Sequence, residues 1–270
     1  MTERRRPPPP RGRRPAAPTS WDALATWYNG WVGEGGSDYH RHVAVPAAVR
    51  LLEAQPGERV LDVGCGQGVL APHVVRAGAE YVGVDASPRL VQMARQQHHH
   101  GGRFLVGDAR RLMEAPGIRP ASFDAAVFLL SLQDMDPLAP VLEGTAHALK
   151  PGGRVVLLLT HPAFRVPRQS GWGWDEGRKL MYRRVDRYLT PLPVPMKPYP
   201  GRDGAGVTRS FHRPIQDYVN GLAEQGLLTD RMEEIAAHRT VERAPTARAA
   251  NLARKEIPLF LGLRARKVAA

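Results

Sequence analysis

The sequence predicts an α/β fold, a mostly parallel β-sheet covered by helices on both faces. Three observations carry this prediction. Between residues 43 and 160, short runs of β-branched and apolar residues alternate with stretches of helical spacing. The connecting segments are long enough to cross over the sheet, so successive strands can lie parallel. A glycine-rich turn, Gly64-Cys65-Gly66-Gln67-Gly68, follows the first strand at the place where such sheets bind ligands.

In chain order, Trp21, Leu24, Trp27 and Tyr28 recur at helical spacing and predict a short amphipathic helix. A glycine loop over 33–36 and a helix over 43–52 follow, and Gln55-Pro56-Gly57 ends that helix. Residues 59–63 are a buried strand, and 68–76 a helix that turns Val69, Leu70, Val74 and Val75 to the sheet. Residues 81–84 form the second strand. Ser87-Pro88 starts a helix with a hydroxyl cap and proline at the first helical position. Strands over 103–106 and 124–130, a helix over 138–149, the turn Lys150-Pro151-Gly152-Gly153 and a strand over 154–159 complete the alternating run. Residues 161–210 lose periodicity and are rich in proline, glycine and aromatics, which marks an inserted lid or binding element over about 161–214. A helix over 215–224 and strands near 228–235 and 258–264 close the chain.

The length of 270 residues suits one such domain, spanning 21–270. Residues 1–20 combine arginines with a proline run and few apolar groups, so they read as a disordered basic, proline-rich arm. The net charge of +12 sits at the ends: +5 on residues 1–14 and +6 on 239–270, which leaves the body near neutral. A nucleic-acid partner is therefore conceivable through the arm but not favoured, because phosphate-gripping proteins carry a basic stripe beside the site. No stretch has the apolar length of a membrane span or a secretory signal, and Cys65 is the only cysteine. These features favour a cytoplasmic location. His98-His99-His100 are adjacent and cannot readily converge on one ion, so no metal is expected.

The glycine turn has the spacing G-x-G-x-G, whereas dinucleotide-binding loops prefer G-x-G-x-x-G. Asp85 ends the second strand 23 positions after Asp62, where a carboxylate can accept from both ribose hydroxyls of an adenosine. Asp108 and Ala109 end the third strand, where a carboxylate can accept from an adenine amino group.

Together these residues resemble the class I S-adenosylmethionine-dependent methyltransferases of the type 11 group, which includes ubiquinone- and menaquinone-biosynthesis-like enzymes. The resemblance covers roughly residues 21–160. It implies a Rossmann-like, seven-stranded sheet with an antiparallel C-terminal strand pair, and S-adenosyl-L-methionine as cofactor. It places Gly64, Cys65, Gly66 and Gly68 at the methionine portion, with Asp62 supporting its amine, Asp85 and Ala86 at the ribose, and Asp108 and Ala109 beside the adenine. Phe128 and Leu129 occupy family positions near the cofactor, and Tyr28 and Tyr39 are candidates for its cover. Plainer roles stand beside these: Asp62 as a cap of the loop, Asp85 as a turn residue, and either tyrosine as a core aromatic.

The resemblance implies transfer of a methyl group to an acceptor, expected to be a small apolar or aromatic molecule methylated at O, N or C. Two alternatives are an RNA methyltransferase and a non-catalytic S-adenosylmethionine-binding protein. Against RNA, the fourth strand ends in Leu129-Leu130-Ser131-Leu132 rather than an Asn/Asp-Pro-Pro-Tyr/Phe motif. His161 and His212 are the catalytic candidates, either as bases or as positioning groups, with a structural pin as the counterpart for His161. Trp172 and Trp174 are candidate walls of the acceptor pocket, or else part of a lid packed on the sheet edge.

Overall fold

A computed structural model describes residues 21–33, 35–99, 101–196 and 208–268. The basic arm expected over 1–20 and His100 lie outside the described residues. A 3-10 turn, Asp22–Leu24, leads into α1 (Ala25–Val32). A π-helical turn, His40–Ala44, then leads into α2 (Val45–Leu52). The alternating run is β1 (Arg59–Val63), α3 (Ala71–Arg76), β2 (Glu80–Asp85), α4 (Pro88–Gln97), β3 (Arg103–Val106), β4 (Phe123–Leu129), α5 (Leu138–Ala148) and β5 (Leu149–Thr160). After it come β6 (Ser170–Asp175), β7 (Leu180–Val185), β8 (Leu192–Met196), β9 (Thr208–His212), α6 (Ile215–Glu224), β10 (Leu227–Ile235), α7 (Ala247–Glu256) and β11 (Phe260–Lys267).

Seven strands form one Rossmann-like sheet in the order β10-β11-β5-β4-β1-β2-β3. β1 to β5 pair in parallel, and β11 is antiparallel to both β5 and β10. The chain runs from β1 outward through β2 and β3, then returns to build β4 and β5 on the other side. The sheet therefore opens a crevice at the carboxyl ends of β1 and β4, where neighbouring connections diverge.

Side chains alternate between the faces of a strand, and the core divides accordingly. Leu61, Val63, Phe128 and Leu157 pack with α5 and α6 on one face, while Val60, Tyr81, Val127 and Val156 pack with α2, α3 and α4 on the other. Asp62 shares the face of Val60 and Tyr81.

Three features differ from the sequence expectation. The helix after the glycine turn starts at Ala71 rather than 68, because Gly68 sits at φ +82° and cannot begin a right-handed helix. The described parts of 161–214 are not irregular but hold two antiparallel strand pairs, β6–β7 and β8–β9. Every residue of β6 is partly exposed, so no inside–outside alternation marks it in the sequence. Helix α7 buries only alanines, Ala250 and Ala253, which leaves no stripe of large apolar residues to reveal it.

Candidate functional site

The cavity at the crevice has a volume of about 500 Å³. Its floor is the turn after β1. Gly64 lies at φ +74°, and a Cβ there would stand 2.6 Å from Ser131 Cβ and 2.7 Å from Met135 Cε. The turn after β4 thus rests directly on backbone, which only glycine permits. Gly64 N–H donates to Val84 O at 2.7 Å, and Ser131 Oγ donates to Val63 O at 2.6 Å, tying β1, β2 and the turn after β4 together.

Asp85 accepts from Gly66 N–H at 2.9 Å through Oδ2 and from Ser87 N–H at 2.8 Å through Oδ1. Each oxygen keeps a further lone pair for a ligand hydroxyl. Burial raises its pKa, against the lowering effect of those two N–H groups. Asp62 lies beneath the loop, with Oδ2 accepting from Tyr81 Oη at 2.7 Å. Its Oδ1 is buried and has no hydrogen-bond partner. Burial pushes this carboxyl up to about 7, although the Tyr81 hydroxyl opposes the shift. An orphaned carboxylate oxygen under a glycine loop suits a cationic ligand group, reached directly or through water. Cys65 is buried against Gly83 and Tyr81, and burial raises its thiol well above the ordinary value. A thiolate nucleophile has no support there.

Beyond the end of β3, Asp108 and Ala109 line the cavity with Val84, Ala86 and Leu90. Asp108 accepts from Arg110 through both oxygens, Nη2 to Oδ2 being 2.6 Å and Nε to Oδ1 2.9 Å, and this pairing lowers its pKa. The cover comes from the N-terminal segment. Ser87 Oγ and Arg89 N–H both donate to Asp22 Oδ1, at 2.8 and 3.1 Å, which pins the 3-10 turn to the start of α4. Trp21 and Tyr28 meet edge to face with centroids 5.2 Å apart at the cavity wall. Burial raises the Tyr28 hydroxyl, so it stays protonated.

At the other end the wall is mostly apolar: Tyr39, Leu130, Met135, Pro167, Met196, Leu259 and Phe260. Polar groups there include His40, Gln133, Asp134, Asp136 and Ser210. Burial drives His40 down to about 4, leaving a neutral ring whose Nδ1 is 2.7 Å from Ser37 Oγ. Burial raises Asp134 to about 7, against hydrogen bonds from Ser210 and Trp21.

Of the residues singled out in the sequence, Tyr28, Tyr39, Gly64, Gly66, Asp85, Ala86, Asp108, Ala109 and Leu129 line this cavity. Asp62, Cys65 and Gly68 support its floor from behind. Phe128 does not reach it: adjacent strand residues face opposite ways, and Phe128 is fully buried under α5 and α6. His161 and His212 also lie outside the wall. His161 is buried, with Nε2–H donating to Glu234 at 3.0 Å and Nδ1 accepting from Ala163 N–H at 3.2 Å. His212 donates through Nε2 to Tyr188 O at 2.6 Å. His161 has both ring nitrogens engaged and is held as a structural pin, while His212 is tied to the backbone through Nε2, and neither ring lines the cavity. Trp172 is stacked between Arg165 and Arg183, each 5.2 Å from its ring centroid, and Trp174 Nε1 donates to Glu176 at 2.5 Å. Arg165, Arg183 and Glu176 engage these indoles, and neither indole lines the cavity. Asp134, Ser210, Met196 and Phe260 were missed because they meet only through tertiary contacts. Asp134 alone had a local signal, a carboxylate just past the fourth strand.

Among the described residues, one group could hold a metal ion: Asp38, His42 and His238, with ligand atoms within 4.8 Å of one another. Arg239 Nε already donates to Asp38 Oδ2 at 2.6 Å, so a cation there would have to displace a guanidinium.

Residues 61–157 match a family described as a methyltransferase domain. A ubiquinone biosynthesis O-methyltransferase from Xylella fastidiosa is 31% identical over 137 residues, covering 50% of this chain and 56% of that protein. A protein of the same name from Xanthomonas campestris is 33% identical over 143 residues, covering 52% and 59%. The chain thus spans a little over half the length of the curated relatives it matches. A solved S-adenosylmethionine-dependent methyltransferase from Mesorhizobium loti is 27% identical with a TM-score of 0.65, covering 82% of this chain and 96% of that one.

Proposed function

We propose that this chain, which carries a class I S-adenosylmethionine-dependent methyltransferase domain of the type 11 group, methylates a small apolar or aromatic molecule. The observation that carries the reading is one continuous cavity with two chemically distinct ends. At one end Asp85 and the glycine loop suit an adenosine and its amino-acid arm. At the other, Met135, Pro167, Met196, Leu259 and Phe260 offer an apolar wall with few polar groups.

When bound, S-adenosyl-L-methionine supplies an electrophilic methyl group on a positively charged sulfur. Asp85 would hold the ribose hydroxyls and Asp62 the amine, with Gly64 and Gly66 giving the arm room to lie on backbone. Ala109, Leu90 and Val84 would flank the adenine, and Asp108 would meet its amino group by sharing the carboxylate that Arg110 now holds. Trp21 and Tyr28 close the site from above and exclude water. Methyl transfer needs little more than alignment of acceptor and methyl group, and the apolar wall supplies that alignment. O-methylation, as the relatives' names indicate for them, is the first variant to test.

Among the described residues, four carboxyl groups, Asp85, Asp108, Asp134 and Asp136, line the cavity with one arginine, Arg110. That balance repels a phosphate backbone and supports a small acceptor over RNA. Pro167, together with Met196 of β8 and Ser210 of β9, contributes to the wall, which supports the lid role expected of this insertion. Among the described residues no helix is long and apolar enough to cross a membrane. A cytoplasmic setting is our reading from the single, buried Cys65. The test is calorimetric binding of S-adenosylhomocysteine, followed by a mass-spectrometric screen of phenols, amines and quinols for methylated products. Absence of S-adenosylhomocysteine binding by the folded protein would refute the assignment.

A further inference from the structure

One carboxylate ties the segment beside the cavity to a loop 200 residues further along the chain. Asp38 directly precedes Tyr39 and His40, which line the cavity. His42 follows four residues on around the π-helical turn, so its ring returns to the same face. Its Nδ1 is 3.1 Å from Asp38 Oδ1 and 3.0 Å from Asp38 O. His238, in the loop between β10 and α7, brings Nε2 to 2.9 Å from Asp38 Oδ2. The two imidazoles stack, with centroids 4.9 Å apart and 23° between their planes. We propose that Asp38, His42 and His238 form a binding site for a divalent transition-metal ion of the zinc type.

The donor set selects that class of ion. A carboxylate oxygen and two imidazole nitrogens lie within 4.8 Å of one another. Two donors on a tetrahedral zinc stand about 3.4 Å apart, so the nitrogen–oxygen separations of 2.9 and 3.1 Å need only a small opening. Zinc takes imidazole nitrogen together with carboxylate oxygen, whereas magnesium and calcium seek oxygen alone. Three protein ligands leave a fourth position for water. The histidine run at 98–100 takes no part in this group.

Arg239 is the internal competitor. Its Nε donates to Asp38 Oδ2 at 2.6 Å, and its guanidinium lies 5.1 Å from the Tyr39 ring centroid. Oδ1 carries no arginine: among the described residues its ionic partner is His42. The Arg239 side chain is 54% exposed, so it can swing into water without disturbing the core. The exchange replaces one positive group on Asp38 by another, in a setting that already accommodates positive charge. An exposed guanidinium pair gains little over hydration, while a metal adds two imidazole bonds that arginine cannot make. A bound ion would fasten the segment of Tyr39 to the loop of His238. Tyr39 also meets His238 and Phe260 edge to face, at 5.3 and 6.3 Å, so the fastening lies one residue from the cavity wall. The site stands independently of the methyl-transfer reading.

The test is metal titration of the full chain after treatment with a chelator. Calorimetry with zinc chloride compares the wild type, His42→Ala, His238→Ala and Arg239→Gln, with His99→Ala as a control in the histidine run. The wild type should take up a single equivalent, and loss of either ligand should weaken that binding by about 100-fold. Arg239→Gln removes the competitor and neither ligand nitrogen, so it should bind zinc about three- to tenfold more tightly. His99→Ala should match the wild type. Cobalt(II) gives a second readout: its visible d–d absorption should appear in the wild type and Arg239→Gln and be absent from both ligand variants. His42 and His238 are exposed, so these variants should keep the wild-type circular dichroism. The gain in Arg239→Gln keeps the test open if either of them folds poorly. No single-equivalent zinc binding by the folded wild type overturns the proposal. So does an affinity unchanged in His42→Ala and His238→Ala, an affinity lost in His99→Ala, or no gain in Arg239→Gln. Neither cofactor nor acceptor enters the titration, so these outcomes leave the methyl-transfer reading as it stands.

Discussion

Replacing Asp85 by asparagine isolates the ribose-holding role with almost no change in shape. In the native turn the two carboxylate oxygens each accept a backbone N–H, from Gly66 at 2.9 Å and Ser87 at 2.8 Å. Asparagine keeps one acceptor and points its NH2 at the other donor. One N–H is then left unpaired in a half-buried turn, at about 1–3 kcal/mol of stability. A ligand ribose loses more. Hydrogen bonds to a charged acceptor contribute about 1.5–3 kcal/mol each, and asparagine forfeits one of them and the charge behind the other. Together this is about 2–4 kcal/mol of binding, or roughly a 30- to 1000-fold rise in Kd. Titration calorimetry with S-adenosylhomocysteine measures the affinity, and scanning calorimetry of the unliganded variant separates it from the folding cost. An affinity within threefold of wild type would refute both the ribose contact and the placement of the cofactor on this loop.

The other expectations concern packing and protonation. Gly64→Ala forces a Cβ into Ser131 and Met135 at positive φ. It should cost about 2–4 kcal/mol in urea unfolding and weaken S-adenosylhomocysteine binding at the same time. His161→Ala removes the pin between Glu234 and Ala163 N–H. It should cost about 1–3 kcal/mol of stability while leaving cofactor affinity within twofold, and a strong loss of affinity would restore a direct role for the ring. Trp172→Ala should loosen the Arg165–Arg183 stack by about 1–2 kcal/mol without altering acceptor KM, since the indole does not line the cavity. His40 is held neutral in the fold, down to about 4 from an unfolded value near 6.5. Its contribution is therefore complete above pH 6.5 and is lost as pH falls towards 4. His40→Gln should flatten the acid side of the stability profile by up to about 3 kcal/mol between those limits, measured by urea titration.

Much of the glycine-turn end of the cavity was legible because its signals are local. Strand β1, the G-x-G-x-G turn, Asp85 at the end of β2 and the Ser87 cap of α4 each depend on a few consecutive residues. Their backbone geometry follows from residue type: glycine for positive φ, β-branched runs for buried strands, serine and proline for a helix start. The pair Phe128 and Leu129 marks where this stops. Both end β4, but the two-residue period sends Phe128 under α5 and Leu129 to the cavity. Sequence position near a ligand did not say which face carried it.

The apolar part of the cavity wall was not legible. Asp134, Met196, Ser210 and Phe260 come from four separate segments, and the packing of the β8–β9 pair and the turn after β4 beside the seven-stranded sheet brings them to one wall. The indoles and histidines of 161–214 had ligand-like chemistry, yet arginine stacking and backbone acceptors engage them elsewhere. By itself, then, the sequence determined the parallel sheet, its glycine turn and the carboxylate at the end of β2, because short-range φ/ψ preferences and side-chain period specify them. Only the tertiary structure decided which carboxyl groups lose their water and which residues line the apolar part of the cavity. Burial and partner choice depend on strand order and crossover packing, which join residues far apart in the chain.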